Sequence, residues 1–252
     1  MKHSLFKEVE KMENDDGFKV ELSSKPMQFN GMAKIPAGEM PYDININGFG
    51  KIQGDFKCDS LHANGLLSAK GKLEVRGDLQ VDGLFKCNDS LKVTNNVNFG
   101  GMGKINSNVT INGELNAEGA FKCKADVFVT EKAMFAGSAK INGNFTSQDN
   151  LTIKGRASIY GNIVGKNITI SRTEDVKSFF NRKSRIYGNL AAQKDIIIDD
   201  IKVEGDIQGQ NVNIGENSII YGKIFYVDEL NIDKDAYLEN DPIQISLEEL
   251  HH

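Results

Sequence analysis

The chain has 252 residues, a formal net charge of −5, 39% hydrophobic residues and no tryptophan. That acidic balance argues against nonspecific nucleic-acid binding, which needs a basic face. No run of 18 apolar residues occurs, so no membrane-spanning helix is expected, and the first residues, Met1 to Glu8, lack the apolar stretch of a signal peptide.

Residues 1–43 precede any repeat. Leu5, Val9 and Met12 stand at i, i+4 and i+7, with Phe6 beside them and Lys2, Lys7 and Lys11 around them. The spacing fits a short amphipathic helix, and the simpler reading is a frayed tail. As a helix, Leu5, Phe6, Val9 and Met12 would form a small apolar face for the inner surface of a membrane. Asn14-Asp15-Asp16-Gly17 breaks any helix there, and residues 18–43 are expected to hold one or two strands that pair with or cover the first coil.

Coils are expected to begin near Ile44. Gly65, Gly71, Gly77 and Gly83 are six residues apart, and the grid runs on through Gly101, Gly113, Gly119, Gly137, Gly143, Gly155 and Gly161. Two and four residues after each grid point the chain is apolar almost without exception; Gly103 and Ser147 depart. Two apolar residues separated by one share a face of a strand, and glycine supplies the corner. One such hexad cannot bury its side chains alone. Three hexads closing a triangle can, with the next triangle stacked on top. Gly48 and Gly54 lie one position off the later grid, which places a one-residue deletion between 55 and 64, near Ser60. An antiparallel sandwich would not hold a six-residue phase for so long.

After Gly161 the period shortens to 17: Gly188, Gly205 and Gly222, each followed two residues later by Leu190, Ile207 or Ile224. A segment near 171–184, with Phe179-Phe180, interrupts this and reads as an insertion at a corner, where added length costs little. Residues 44–238 thus make about ten coils of 17–18 residues with a triangular cross-section, and 239–252 form a non-repetitive tail. The prolines, Pro26, Pro36, Pro41 and Pro242, all lie outside that span, as ladders require.

Signs of chemistry are sparse. Cys58, Cys87 and Cys123 each follow a Phe-Lys pair and should point inward as reduced core thiols. Cysteine pairs spaced for a metal are absent, and so is a phosphate loop or nucleophile elbow, so neither metal nor cofactor is expected. The left-handed hexapeptide acyltransferases place a branched aliphatic residue before the glycine, where this chain has Arg76, Asp82, Asn112 and Glu118; His62 is the one histidine within the coils. Acidic pairs such as Asp199-Asp200 have no loop canopy above them. Tyr160, Tyr187 and Tyr221 each precede a corner glycine and could stack along one face.

The corners Gly161-Asn162-Ile163, Gly188-Asn189-Leu190 and Gly205-Asp206-Ile207, with inner apolar pairs at a period of 17–18, resemble the bactofilins, the polymer-forming cytoskeletal family of bacteria. The resemblance implies an all-β, single-stranded right-handed parallel β-helix. It also implies end-to-end polymerisation without nucleotide, a cytoplasmic scaffold serving cell shape, motility or envelope organisation, and in many members an N-terminal membrane-targeting segment. Self-assembly is expected at the open C-terminal coil, through Leu230, Ile232 and Leu238, because a terminal coil leaves its ladder and core uncovered. A carbohydrate-binding or carbohydrate-active β-helix is the alternative.

Overall fold

The computed structural model describes residues 26–172 and 183–250. They form one parallel β-helix of about twelve turns, three short strands to a turn, each strand paired with its counterpart 16–18 residues along except across the segment 173–182. The three walls are here named by their order within a turn. The first wall stacks Met27, Ile44, Leu61, Leu79, Val97, Leu115, Ala133, Leu151, Ile168, Ile196, Val212 and Leu230 in one vertical line. Every second residue turns inward and is buried, so two apolar columns per wall fill the axis.

The rod starts one turn earlier than Ile44. Strand Met27–Ile35 pairs residue for residue with Ile44–Ile52, and Gly38–Met40 with Phe56–Cys58. The first turn was obscured because only Pro36-Ala37 separate its second and third walls, one residue short of the usual corner. The rod also runs past Leu238: Ile243–Gln244 adds a last strand against Phe225–Tyr226. The one-residue deletion is where the phase shift placed it, since Asp59-Ser60 alone joins Cys58 to Leu61.

Corner glycines answer a close approach. At the corner between first and second walls, Gly31, Gly48, Gly65, Gly83, Gly101, Gly119, Gly137 and Gly155 stack directly. A Cβ on Gly155 would lie 2.0 Å from the Gly137 carbonyl oxygen, and its φ is +140°. From Gly143 onward the stacked glycines stand at the corner between second and third walls, through Gly161, Gly188, Gly205 and Gly222. There each is followed by Asn144, Asn162, Asn189, Asp206 or Lys223. The side-chain oxygen of one accepts the backbone N–H of the next, from Asn144→Asn162 at 2.9 Å to Asp206→Lys223 at 2.8 Å.

The two irregular inward positions have physical reasons. Gly103 sits between Phe85 and Phe121 in the second wall, and the ring of Phe99 fills the space a side chain would take, 3.3 Å from where a Cβ would lie. Phe85, Phe99, Phe121, Phe135 and Phe145 form a staircase with centroids 5.4–6.0 Å apart. Ser147 is buried but donates its hydroxyl to the Glu131 carbonyl at 2.7 Å.

Candidate assembly surfaces

The last turn brings Leu230, Ile232 and Leu238 to one end of the rod. Leu230 and Ile232 stack on Val212 and Ile214, ending the first wall; Leu238 stacks on Ile220, ending the second. Leu230 and Leu238 are half-buried against the core, and Ile232 is 41% exposed. Among the described residues no strand pairs with the outer edge of Glu229–Ile232 or Tyr237–Leu238. The third wall ends differently, beneath Ile243–Gln244.

The helix Leu247–Leu250 does not cap this end. The Glu249 side chain accepts from the Ser246 backbone N–H at 2.8 Å and from the Ser246 hydroxyl at 2.9 Å, which holds its carboxyl below the usual range. Gln208, on the outer surface of the third wall, donates to the Leu250 carbonyl at 3.3 Å, so the helix lies along the flank. The open end therefore presents unpaired peptide groups around a ring of apolar side chains, the arrangement that accepts another strand layer. At the opposite end, Met27, Phe29 and Met40 top the three-walled core. Leu5, Phe6, Val9 and Met12 lie outside the described residues, as does most of the insertion.

Elsewhere the predicted chemistry resolves into structure. Cys58, Cys87 and Cys123 are all buried and free, and Cys87 and Cys123 share a column with Ile105 between them. Burial pushes the Cys58 thiol up to about 12 and the other two to about 11. His62 points outward from the first wall, 3.9 Å from Asp82. Burial and the neighbouring Asp200 raise Asp199, while Asp200 pairs with Arg172 at 2.6 Å. No group of metal-binding side chains occurs among the described residues. Tyr160 and Tyr187 stack face to face at 4.5 Å, but Glu204 occupies the next turn, so Tyr221 stands apart beneath Lys202.

One strong pattern escaped the sequence reading. The outward residue in the middle of the second wall is Lys34, Lys51, Ser68, Lys86, Lys104, Lys122 and Lys140 in successive turns. A groove of about 670 Å³ continues that cationic line past Arg156 and Arg185. The signal lay in the residue between each inward pair, taken turn by turn.

Residues 65–178 match the family model of the bactofilins, described as polymer-forming cytoskeletal. That stretch, a little under half of the chain, is similar to a bactofilin domain. No curated protein and no solved structure matches the chain. The bactofilin match begins at Gly65, yet the same ladder register runs without a break from Met27, so the turns outside the match extend the domain's rod. No helix among the described residues is long and apolar enough to cross a membrane.

Proposed function

We propose that this protein is a non-enzymatic scaffold that self-assembles through the ends of its β-helix and serves in the cytoplasm to organise cell shape, motility or the envelope. The observation that carries the reading is the uncovered last turn, where Leu230, Ile232 and Leu238 continue a core that runs the length of the rod. The polymer-forming description of the matched family supports it. A contact burying this end twice gives a dimer; contacts at both ends give a filament. Asp228, Glu229, Asp233 and Asp235 ring the end with Lys234 among them, so assembly strengthens as salt screens their repulsion.

Light scattering and electron microscopy of the purified protein test this. Oligomers are expected at high concentration and more at higher salt, and Ile232→Asp is expected to abolish them while leaving the circular dichroism of the rod unchanged. Monomers at every concentration and salt would reject the proposal. Through Leu5, Phe6, Val9 and Met12 the N-terminal tail would add a weak membrane contact that assembly multiplies. Deleting residues 1–13 is then expected to reduce co-sedimentation with anionic vesicles more for the assembled protein than for the Ile232→Asp variant.

A further inference from the structure

The second wall carries two parallel stripes on its outer surface. One is the cationic column of Lys34, Lys51, Lys86, Lys104, Lys122 and Lys140. The other, two residues upstream in each turn, is apolar: Met32, Phe49, Leu66, Leu84 and Met102 stack in successive turns. Met32 is 80% exposed and Phe49, Leu84 and Met102 close to 40%. Among the described residues nothing covers them.

From the first turn to the turn of Arg185, the outward positions of this wall contain no carboxylate, and the corner that follows it holds only Asp55, Asp89 and Asp126, whose side chains accept backbone N–H groups of Lys72, Ser90 and Asn144. Lys70, Lys124 and Arg156 add to the positive side. On the other side, Asp82 and Glu118 stand across the glycine corner at the first wall's end. None of the six column lysines has an ion pair among the described residues. The third wall shows the contrast: its outward column runs Glu39, Lys57, Glu74, Lys92, with Lys57 and Glu74 paired at 2.8 Å.

We infer that this wall is a docking surface for an anionic lipid bilayer, separate from any contact made by residues 1–13. At ~4.8 Å per turn the column from Lys34 to Lys140 spans roughly 29 Å of straight, in-register sheet, which suits a plane. The lysines meet anionic headgroups, and the apolar stripe enters the boundary between headgroup and acyl chain. A phosphodiester polymer would satisfy the lysines but give Met32, Phe49, Leu84 and Met102 nothing to bury. In an assembled rod each copy presents the same wall, so contacts multiply along the polymer.

The experiment is co-sedimentation of the full chain with phosphatidylcholine vesicles with and without phosphatidylglycerol. Two second-wall variants are compared, Lys51→Glu/Lys86→Glu/Lys104→Glu and Phe49→Ser/Leu84→Ser, with Lys57→Glu/Lys92→Glu on the third wall as control. All substituted side chains point outward, and circular dichroism checks the fold. The expected result is binding only with phosphatidylglycerol, lowered about tenfold or more by the lysine reversal and measurably by the serine pair, and little changed by the control. Unchanged binding by both second-wall variants would overturn the inference. So would loss of all binding on deleting residues 1–25, or equal loss in the control. A duplex DNA that binds the wall as tightly after Phe49→Ser/Leu84→Ser would assign the lysines to nucleic acid instead. Assembly of each variant is measured without lipid, so failure of the scaffold reading is scored separately: Ile232→Asp removes polymer but keeps the wall.

Discussion

The two halves of the rod close their corners differently. Up to Gly155 the stacked glycines stand between first and second walls, several with φ between +119° and +140°. From Gly143 on, a second stack stands between second and third walls, with no positive φ, and its glycines up to Gly205 are followed by asparagine or aspartate in a side-chain ladder that begins at Asn108 and ties one turn to the next. The handover falls near the first corner between Ile168–Ser171 and Ser184–Ile186. A close backbone approach can thus be met by bare peptide alone, or by peptide plus a side-chain ladder. The ladder fixes an N–H that would otherwise face water, at the cost of placing polar groups ~4.8 Å apart. Asp126 and Asp206 each follow an amide, Asn108 and Asn189, so carboxylates do not adjoin in the ladder from Asn108 to Asp206.

The largest effect that sharpens this contrast is at the glycines. Gly155→Ala combines a clash with the Gly137 carbonyl and a φ that alanine resists, and is expected to cost about 3 kcal/mol or more in chemical denaturation. Gly205→Ala meets Asn189 Oδ1 at 2.4 Å but keeps an ordinary φ, so about 2 kcal/mol is expected. Equal losses would mean that φ does not distinguish the corners.

Next come the ladders. Asn162→Ala strands the Asn189 N–H and is expected to cost about 1 kcal/mol. In the first half Asn64 only donates its amide to Asn47 Oδ1 at 3.2 Å on an exposed surface, so Asn64→Ala should cost less than half as much by the same measurement. A larger loss at Asn64 would reverse the comparison.

The smallest effect is alkaline. All three thiols lie in the first half, and each folded thiol is raised above its unfolded value. The folded state therefore holds its protons longer. Stability is whole below the unfolded thiol range and falls as pH rises toward 11–12, by a few tenths of a kcal/mol per thiol at about pH 9. Denaturation at pH 7 and pH 9, compared with Cys58→Ala/Cys87→Ala/Cys123→Ala, reads this as a shallower pH dependence in the variant. Rapid alkylation of the native protein at neutral pH would show that the thiols do not face the core.

Much of this architecture was legible because inward residues obey one rule in every turn. Φ-x-Φ with a corner glycine placed the walls, the thiols and the deletion near Ser60 correctly, and it brought Leu230, Ile232 and Leu238 to one end. What it missed was of two kinds. Met27-x-Phe29 and Ala33-x-Ile35 follow the rule, but the short corner at Pro36-Ala37 hides their phase, so they read as strands pairing with the first coil rather than as a turn in register with it. The outward columns obey no rule of burial, and a net charge of −5 averages over three walls of unlike character, concealing one that carries no acid for most of its length.

The near-constant offset of 16–18 residues between paired strands also governs how the chain acquires its shape. Measured against 252 residues, typical contacts span roughly 0.07 of the sequence, a value characteristic of fast-folding helical bundles and low for an all-β protein. Each completed turn is a finished template, and adding the next requires ordering only the following 17 or so residues. The one long jump is between Ser158 and Arg185, partners 27 residues apart. Growth of the fold should pause there, leaving a rod of eight turns as the natural halfway species. Propagation then resumes toward Leu238, so the uncovered last turn is the last part of the molecule to form when folding starts from the amino terminus.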